Sequence, residues 1–297
     1  MITPFCVQLL YGLLGPLNKI AIGQVPFSLY VGIKLTMAGS FLLFYHTLIK
    51  GKTIRLSANQ WFYYLQMIVC GAIGAQYLKY WGLQYVSASK AAFLFNSSPF
   101  FVAFFSWLRW NERLSGMQWL GLCLSFVGLV PILFTSSSFE EMVGMIGAFS
   151  LPECAIVAAA AFHAISFTAK RVVVHADGYA SARVNGIYLM AGGIWSLGSW
   201  VLFGAPYAEG MLMTALGYAT FTTFVGKVVC SSLTLYLLRY YSATFLSFME
   251  YWYPLCVAFW SWLFWGELLT YHYWLSAGIV LCGQLLFYLS VRSATDK

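Results

Sequence analysis

Long apolar runs separated by short polar breaks dominate the chain. A helix that crosses a bilayer needs about 20 mostly apolar residues. Ten stretches fit: 3–22, 27–49, 60–83, 87–108, 116–135, 151–170, 182–203, 212–238, 242–265 and 271–291. Leu114–Phe139, Val184–Ala208 and Leu268–Val291 carry no charge at all. The breaks are too short to hold a soluble domain. The pattern therefore predicts an all-α polytopic membrane protein whose function lies inside the bundle or at its mouths.

A shift of 155 residues lays the sequence on itself. Tyr85 falls on Tyr240, Ser87-Ala88 on Ser242-Ala243, Pro99 on Pro254, Trp107 on Trp262, Trp110 on Trp265 and Glu112 on Glu267. Between 85 and 120, 16 of 36 positions are identical. A biased apolar alphabet would not align Pro, Glu and Trp together. The frame divides the chain into a first five-helix repeat at 1–135, a periplasmic linker at 136–150 and a second five-helix repeat at 151–297. Five spans are an odd number, so the second half is expected to enter the membrane in the opposite sense. Inverted repeats of this kind build secondary transporters with a substrate site near the midplane and alternating access. A duplicated channel or scaffold is the other architecture such a repeat serves.

Composition narrows the class. The chain is 61% hydrophobic and only 8% charged, against about a quarter charged in an ordinary soluble domain. That excludes a soluble globular protein, a disordered chain and a nucleic-acid binder. The seven cysteines stand singly in apolar stretches with no CxxC pair, as small packing residues do. The N-terminus lacks a basic region and a cleavage site, and reads as an uncleaved helix. The net charge of +7 fits basic cytoplasmic loops. With the N-terminus inside, the even-numbered loops and the C-terminus hold Lys50, Lys52, Arg55, Arg109, Arg113, Lys170, Arg171, Arg183, Arg239, Arg292 and Lys297, while Glu140, Glu141, Glu209 and Glu267 fall opposite. Both termini are expected to be cytoplasmic. No Walker loop, HExxH, Cys/His cluster or GxSxG elbow is present, so no enzyme, metal or cofactor is expected.

Ionisable residues within spans mark a pathway by default, because each costs about 2.5–3.5 kcal/mol on insertion scales. Lys227 and Glu250 stand at similar depth, roughly 18 and 15 Å from the turn that joins helices 8 and 9 at 1.5 Å per residue. They read either as a structural ion pair or as the cationic and anionic contacts of a zwitterionic substrate. Tyr251, Trp252 and Tyr253 follow Glu250 directly; aromatic faces attract a desolvated cation, though packing serves equally for any one ring. Lys19, Lys34, Lys79 and Lys90 fall in the outer halves of their helices, where they either snorkel to the interface or line a vestibule that gathers anions. Gln76, Tyr80, Asn96, His163 and Ser231 are spaced to face the same cavity. Pro99 and Pro254 free backbone carbonyls in helices 4 and 9 and are expected to kink both as hinges. Glu112 and Glu267 end those helices and read as structural.

The block 82–128, with its Leu83-x-Tyr85-x-Ser87-Ala88 turn, Pro99 in mid-helix and Glu112-Arg113-Leu114 at a helix end, resembles the third-to-fifth-helix signature of EamA-like carriers of the drug/metabolite transporter superfamily. Residues 237–283 repeat it, and the resemblance covers nearly the whole chain. It implies a ten-helix carrier in a bacterial inner membrane that moves a small polar metabolite, with protons or a counter-substrate as coupling partner. Carriers of that superfamily move amino acids, nucleotide-like metabolites and drugs. The residues call for a substrate with an anionic group and an aromatic or cationic portion. S-adenosylmethionine has that chemistry, and so do amino acids, nucleotide sugars and aromatic metabolites. From another class, a lipid scramblase or a non-transporting scaffold remains open.

Overall fold

The computed structural model describes residues 2–50, 60–86, 88–130, 150–176, 181–207, 209–265 and 271–295. The linker at 136–150 lies outside these residues apart from Ser150, as do the end of the fifth span, Lys52, Arg55, Glu140, Glu141, Glu267 and Lys297. The described residues form ten helices and no strand. They are α1 (Ile2–Ile22), α2 (Phe27–Lys50), α5 (Gly116–Val127), α6 (Leu151–Ala176), α7 (Ser181–Phe203) and α10 (Tyr271–Thr295), together with four composite helices. Composite α3 runs through Trp61–Gln66, Met67–Ala75 and Gln76–Leu83, and α4 through Ala88–Phe95 and Ser98–Trp110. Composite α8 runs through Glu209–Thr222, Thr223–Cys230 and Ser231–Leu237, and α9 through Ala243–Phe248, Met249–Tyr251 and Trp252–Trp265.

Seven described helices are long and apolar enough to cross a membrane. The 24 residues of α2 reach about 36 Å, past a hydrocarbon core of about 30 Å. The protein is a multi-pass membrane protein. Its outer surface fits that solvent: Leu202, Phe203, Met213 and Trp274 stand well exposed, which only lipid makes inexpensive.

Local chemistry sets the breaks. Ser115 caps α5, accepting from the Gln118 amide while the Gln118 side chain accepts from the Ser115 amide, a capping box that satisfies two orphan donors. Ser242, the serine of the repeated Ser-Ala pair, caps α9 by accepting from the Phe245 amide at 3.1 Å. Asn111 ends α4 in the left-handed region at φ 53°, where Asn is tolerated.

The irregular stretches recur at the 155-residue shift. Met67–Ala75 of α3 and Thr223–Cys230 of α8 are both π-helical. Helix α4 turns at Asn96–Ser97 ahead of Pro99, and α9 passes through a 3-10 turn at Met249–Tyr251 ahead of Pro254. Proline lacks the amide that would continue the helix.

Packing follows the same exchange. Helix α1 packs on α8 and α9, as α6 packs on α3 and α4; α2 packs on α8 as α7 packs on α3; α2 meets α7, α4 meets α9 and α5 meets α10. Small residues permit these approaches. A Cβ built on Gly283 would lie 2.7 Å from the Gly121 carbonyl oxygen, and one on Gly39 would lie 2.6 Å from the Met190 nitrogen. At equivalent positions, Gly71 lies against Ser166 of α6 and Gly226 against Leu14 of α1.

Candidate functional site

A cavity occupies the centre of the bundle, with about 1160 Å³ of empty space including its mouth. Its walls come from α1, α3, α4, α6, α8 and α9, plus Lys34 of α2. Positions related by the 155-residue shift line it from both halves: Gln8 and His163, Gln76 and Ser231, Lys79 and Thr234, Tyr80 and Leu235, Phe95 and Glu250. The two halves thus supply the same wall positions with different chemistry. The cavity reaches Pro4 at the start of α1 and Leu237 at the end of α8, so it extends to the face of the bundle where α1 begins.

Towards the opposite face it meets a buried polar network. The Lys34 ammonium donates to Asn18 Oδ1 at 2.6 Å and to the Tyr80 hydroxyl at 3.0 Å. The Tyr30 hydroxyl donates to Asn18 Oδ1 at 2.8 Å and lies 3.0 Å from Thr222 Oγ1. Four helices, α1, α2, α3 and α8, are joined here. An unpaired buried ammonium is costly unless hydrogen-bonded, and this network meets that demand.

Four lysines line the cavity, Lys34, Lys79, Lys170 and Lys227, against one glutamate, Glu250. Among the described residues none of the four ammonium groups has a carboxylate within 4.0 Å. Aromatic rings take part of the load: Lys79 lies 3.8 Å from the Phe95 ring centroid and 5.3 Å from that of Tyr253, and Lys170 lies 4.5 Å from that of Tyr188. Such contacts strengthen when desolvated. Lys227 sits in the π-helical stretch of α8, beside Gly226. Glu250 sits on the 3-10 turn of α9 with its Oε1 3.4 Å from His163 Nε2. The structural ion pair between Lys227 and Glu250, one of the two sequence readings, is not formed. Both residues line the one cavity instead.

Of the expected site residues, the fold brings together Lys34, Gln76, Lys79, Tyr80, Asn96, His163, Lys227, Ser231, Glu250 and Tyr253. Four others point elsewhere. The Lys19 ammonium donates to the carbonyls of Leu83, Gln84 and Val86 at the end of α3, where helix carbonyls lack internal partners. Lys90 pairs with Glu153 at 2.6 Å. Tyr251 is fully buried against Phe248 and Phe126, because the α9 turn swings it away from the Glu250 side. The Trp252 indole donates to the Gln284 side chain on α10. Gln8, Tyr11, Asn18 and Lys170 also line the cavity, although the sequence pattern does not mark them. Hydropathy ends the sixth span at Lys170 and assigns it to a loop, whereas α6 continues to Ala176.

Two ion pairs tie α4 to α6 at opposite ends. One is Lys90–Glu153, and the other is Arg171–Glu112, also at 2.6 Å. Glu112, read as structural, is so.

Comparisons with known proteins agree with this architecture. The EamA-like transporter family model matches residues 1–134 and 150–289. A protein of Chlamydia trachomatis serovar L2, named S-adenosylmethionine/S-adenosylhomocysteine transporter, is 28% identical over 86% of this chain and 79% of its own. A protein of the same name from Chlamydia muridarum is 26% identical over 92% of this chain and 86% of its own. The uncharacterized transporter YoaV of Bacillus subtilis is 23% identical over 95% and 94%. A crystal structure at 17% identity superposes with a TM-score of 0.78 over 99% of this chain and 97% of its own, and so shares the fold. With the family model covering both halves, the described helices and their central cavity are those of a transporter, and the chain belongs to the EamA-like transporter family.

Proposed function

We propose that this transporter is a secondary carrier that moves a small zwitterionic metabolite, S-adenosylmethionine or a close analogue, by alternating access of the central cavity. The observation that carries this reading is the composition of the cavity wall: four lysines, one glutamate and several rings enclosed beneath two interrupted helices. Lysines would hold a carboxylate, Glu250 a cationic centre, and Phe95 and Tyr253 the apolar or aromatic portion. The names of the chlamydial relatives support the substrate. The repeat and the exchange-symmetric packing support an inverted five-plus-five arrangement, with the face where α1 begins in the cytoplasm of a bacterial inner membrane. Arg109, Arg171 and Glu112 lie at that face, in keeping with cytoplasmic basic residues.

The contacts support a division into two moving bodies. One body is α1 with α8 and α9, the other α6 with α3 and α4, each taking a helix from both halves. Rocking them about α2, α5, α7 and α10 would close the mouth near Pro4 and part the Lys34 network. Pro99 and Pro254, at the two helix breaks, would serve as hinges. Either protons at Glu250 or an exchanged counter-substrate would drive the cycle.

An uptake screen with purified protein in proteoliposomes tests the reading. Labelled S-adenosylmethionine is expected to enter, and unlabelled S-adenosylhomocysteine to compete. Movement of fluorescent phospholipid with no metabolite uptake would replace the carrier by a scramblase.

A further inference from the structure

Three buried polar atoms at the cavity wall have no hydrogen-bond partner among the described residues: Asn96 Oδ1, Glu250 Oε2 and His163 Nε2. They come from the α4 break, the α9 turn and the middle of α6. The Asn96 amide is oriented by its own bond, since Nδ2 donates to the Glu250 carbonyl at 3.1 Å. Reversing it would set two oxygens against each other, so Oδ1 is the free end. His163 is held between Phe95 at 5.2 Å and Phe167 at 5.7 Å. Its Nε2 lies 3.4 Å from Glu250 Oε1 without hydrogen-bond geometry, so the imidazole stands beside the carboxylate as a donor edge and leaves Glu250 Oε2 free.

Asn96 Oδ1 and Glu250 Oε2, one neutral and one anionic acceptor on residues joined by the Nδ2 bond, suit the charged N–H donors of an ammonium. A sulfonium offers no N–H, and an aromatic amine offers two and no charge. Lys79 lines the same cavity, and its ammonium lies over Phe95, the residue before Asn96. We propose that Asn96 and Glu250, with His163 beside the carboxylate, bind the ammonium of an α-amino-carboxylate head group, and that Lys79 takes its carboxylate. The proposal rests on the carrier reading and fixes how the substrate is oriented: the amino-acid end sits at the helix breaks, and the remainder extends along α8 towards Lys227. Because the head group touches α4 and α9 together, it bridges both moving bodies.

Calorimetry on the purified full-length protein tests this with head-group-edited probes. S-adenosylhomocysteine is expected to bind about 10- to 100-fold more tightly than 5′-methylthioadenosine or its decarboxylated analogue, the range that loss of a charged hydrogen bond gives. Lys79→Met should erase the penalty for losing the carboxylate and leave that for losing the ammonium; Glu250→Gln should weaken every ammonium-bearing probe. Equal binding of S-adenosylhomocysteine and 5′-methylthioadenosine overturns the head-group site and leaves the carrier reading intact. If no S-adenosyl compound binds, L-tryptophan against tryptamine and indolepropionate decides. Binding of the amino acid alone keeps the site and refutes the substrate, and binding of none refutes both.

Discussion

Lys19→Met should open the cavity to the face where α1 ends. The Lys19 ammonium donates to three carbonyls at the end of α3, the contacts to Gln84 and Val86 measuring 3.3 and 2.7 Å. It thereby ties α1, in one moving body, to α3, in the other. A hydrogen bond to a charged group contributes about 1.5–3 kcal/mol. The side chain is only half-buried, so roughly 2 kcal/mol net is a fair figure for the set after solvent screening. At about 1.4 kcal/mol per tenfold change, the closed form of that face loses a factor of about 30. The reporter is Gln76→Cys, on the cavity wall, in a background without the seven native cysteines. A membrane-impermeant thiol reagent added on the side where α1 ends should label it many-fold faster once Lys19 is replaced. Unchanged labelling in a folded Lys19→Met protein with normal uptake would refute the reasoning and make Lys19 a helix cap only.

Three further outcomes follow from the same geometry. Gly226→Val should lower thermal stability by about 1–3 kcal/mol of overpacking, since even a Cβ would meet Leu14 at 2.5 Å, while Gly217→Ala in the same helix meets nothing within 4 Å and should be neutral in the same melting assay. Lys227→Met should raise the KM for substrates bearing an anionic group beyond the head and spare those without one, as uptake kinetics will read. Glu112→Gln should lower thermal stability by less than about 1 kcal/mol and leave transport unchanged, because the Arg171 pair it breaks is partly exposed and lies within one moving body; slowed turnover in a counterflow assay would show that α4 and α6 move apart during rocking.

The ten helices are legible because apolar runs and short breaks leave little else to build, and the 155-residue shift anticipates which positions share a wall. Gln76 and Ser231 show this well: spacing marks both, and both line the cavity at equivalent places. Four kinds of information are absent from the pattern. Nothing in sequence tells a lysine that caps carbonyls, as Lys19 does, or pairs with Glu153, as Lys90 does, from one that faces a cavity. Hydropathy ends the sixth span at Lys170 and so hides a cavity lysine on a helix that runs on to Ala176. The π-helical stretches in α3 and α8 turn Lys227 and Gln76 by an amount that a regular helical wheel does not give. The three aromatics after Glu250 look alike in sequence, yet the 3-10 turn sends Tyr253 into the cavity, Tyr251 into the core and Trp252 to α10.

The central claim, that one central cavity carries a zwitterion across the membrane, is tested most directly by counterflow. Proteoliposomes loaded with unlabelled S-adenosylhomocysteine are diluted into labelled S-adenosylmethionine, with wild type and Glu250→Gln side by side. The account predicts transient accumulation of label above equilibrium in wild type and its loss in Glu250→Gln. Label that only equilibrates in wild type, or accumulates equally in Glu250→Gln, would contradict it.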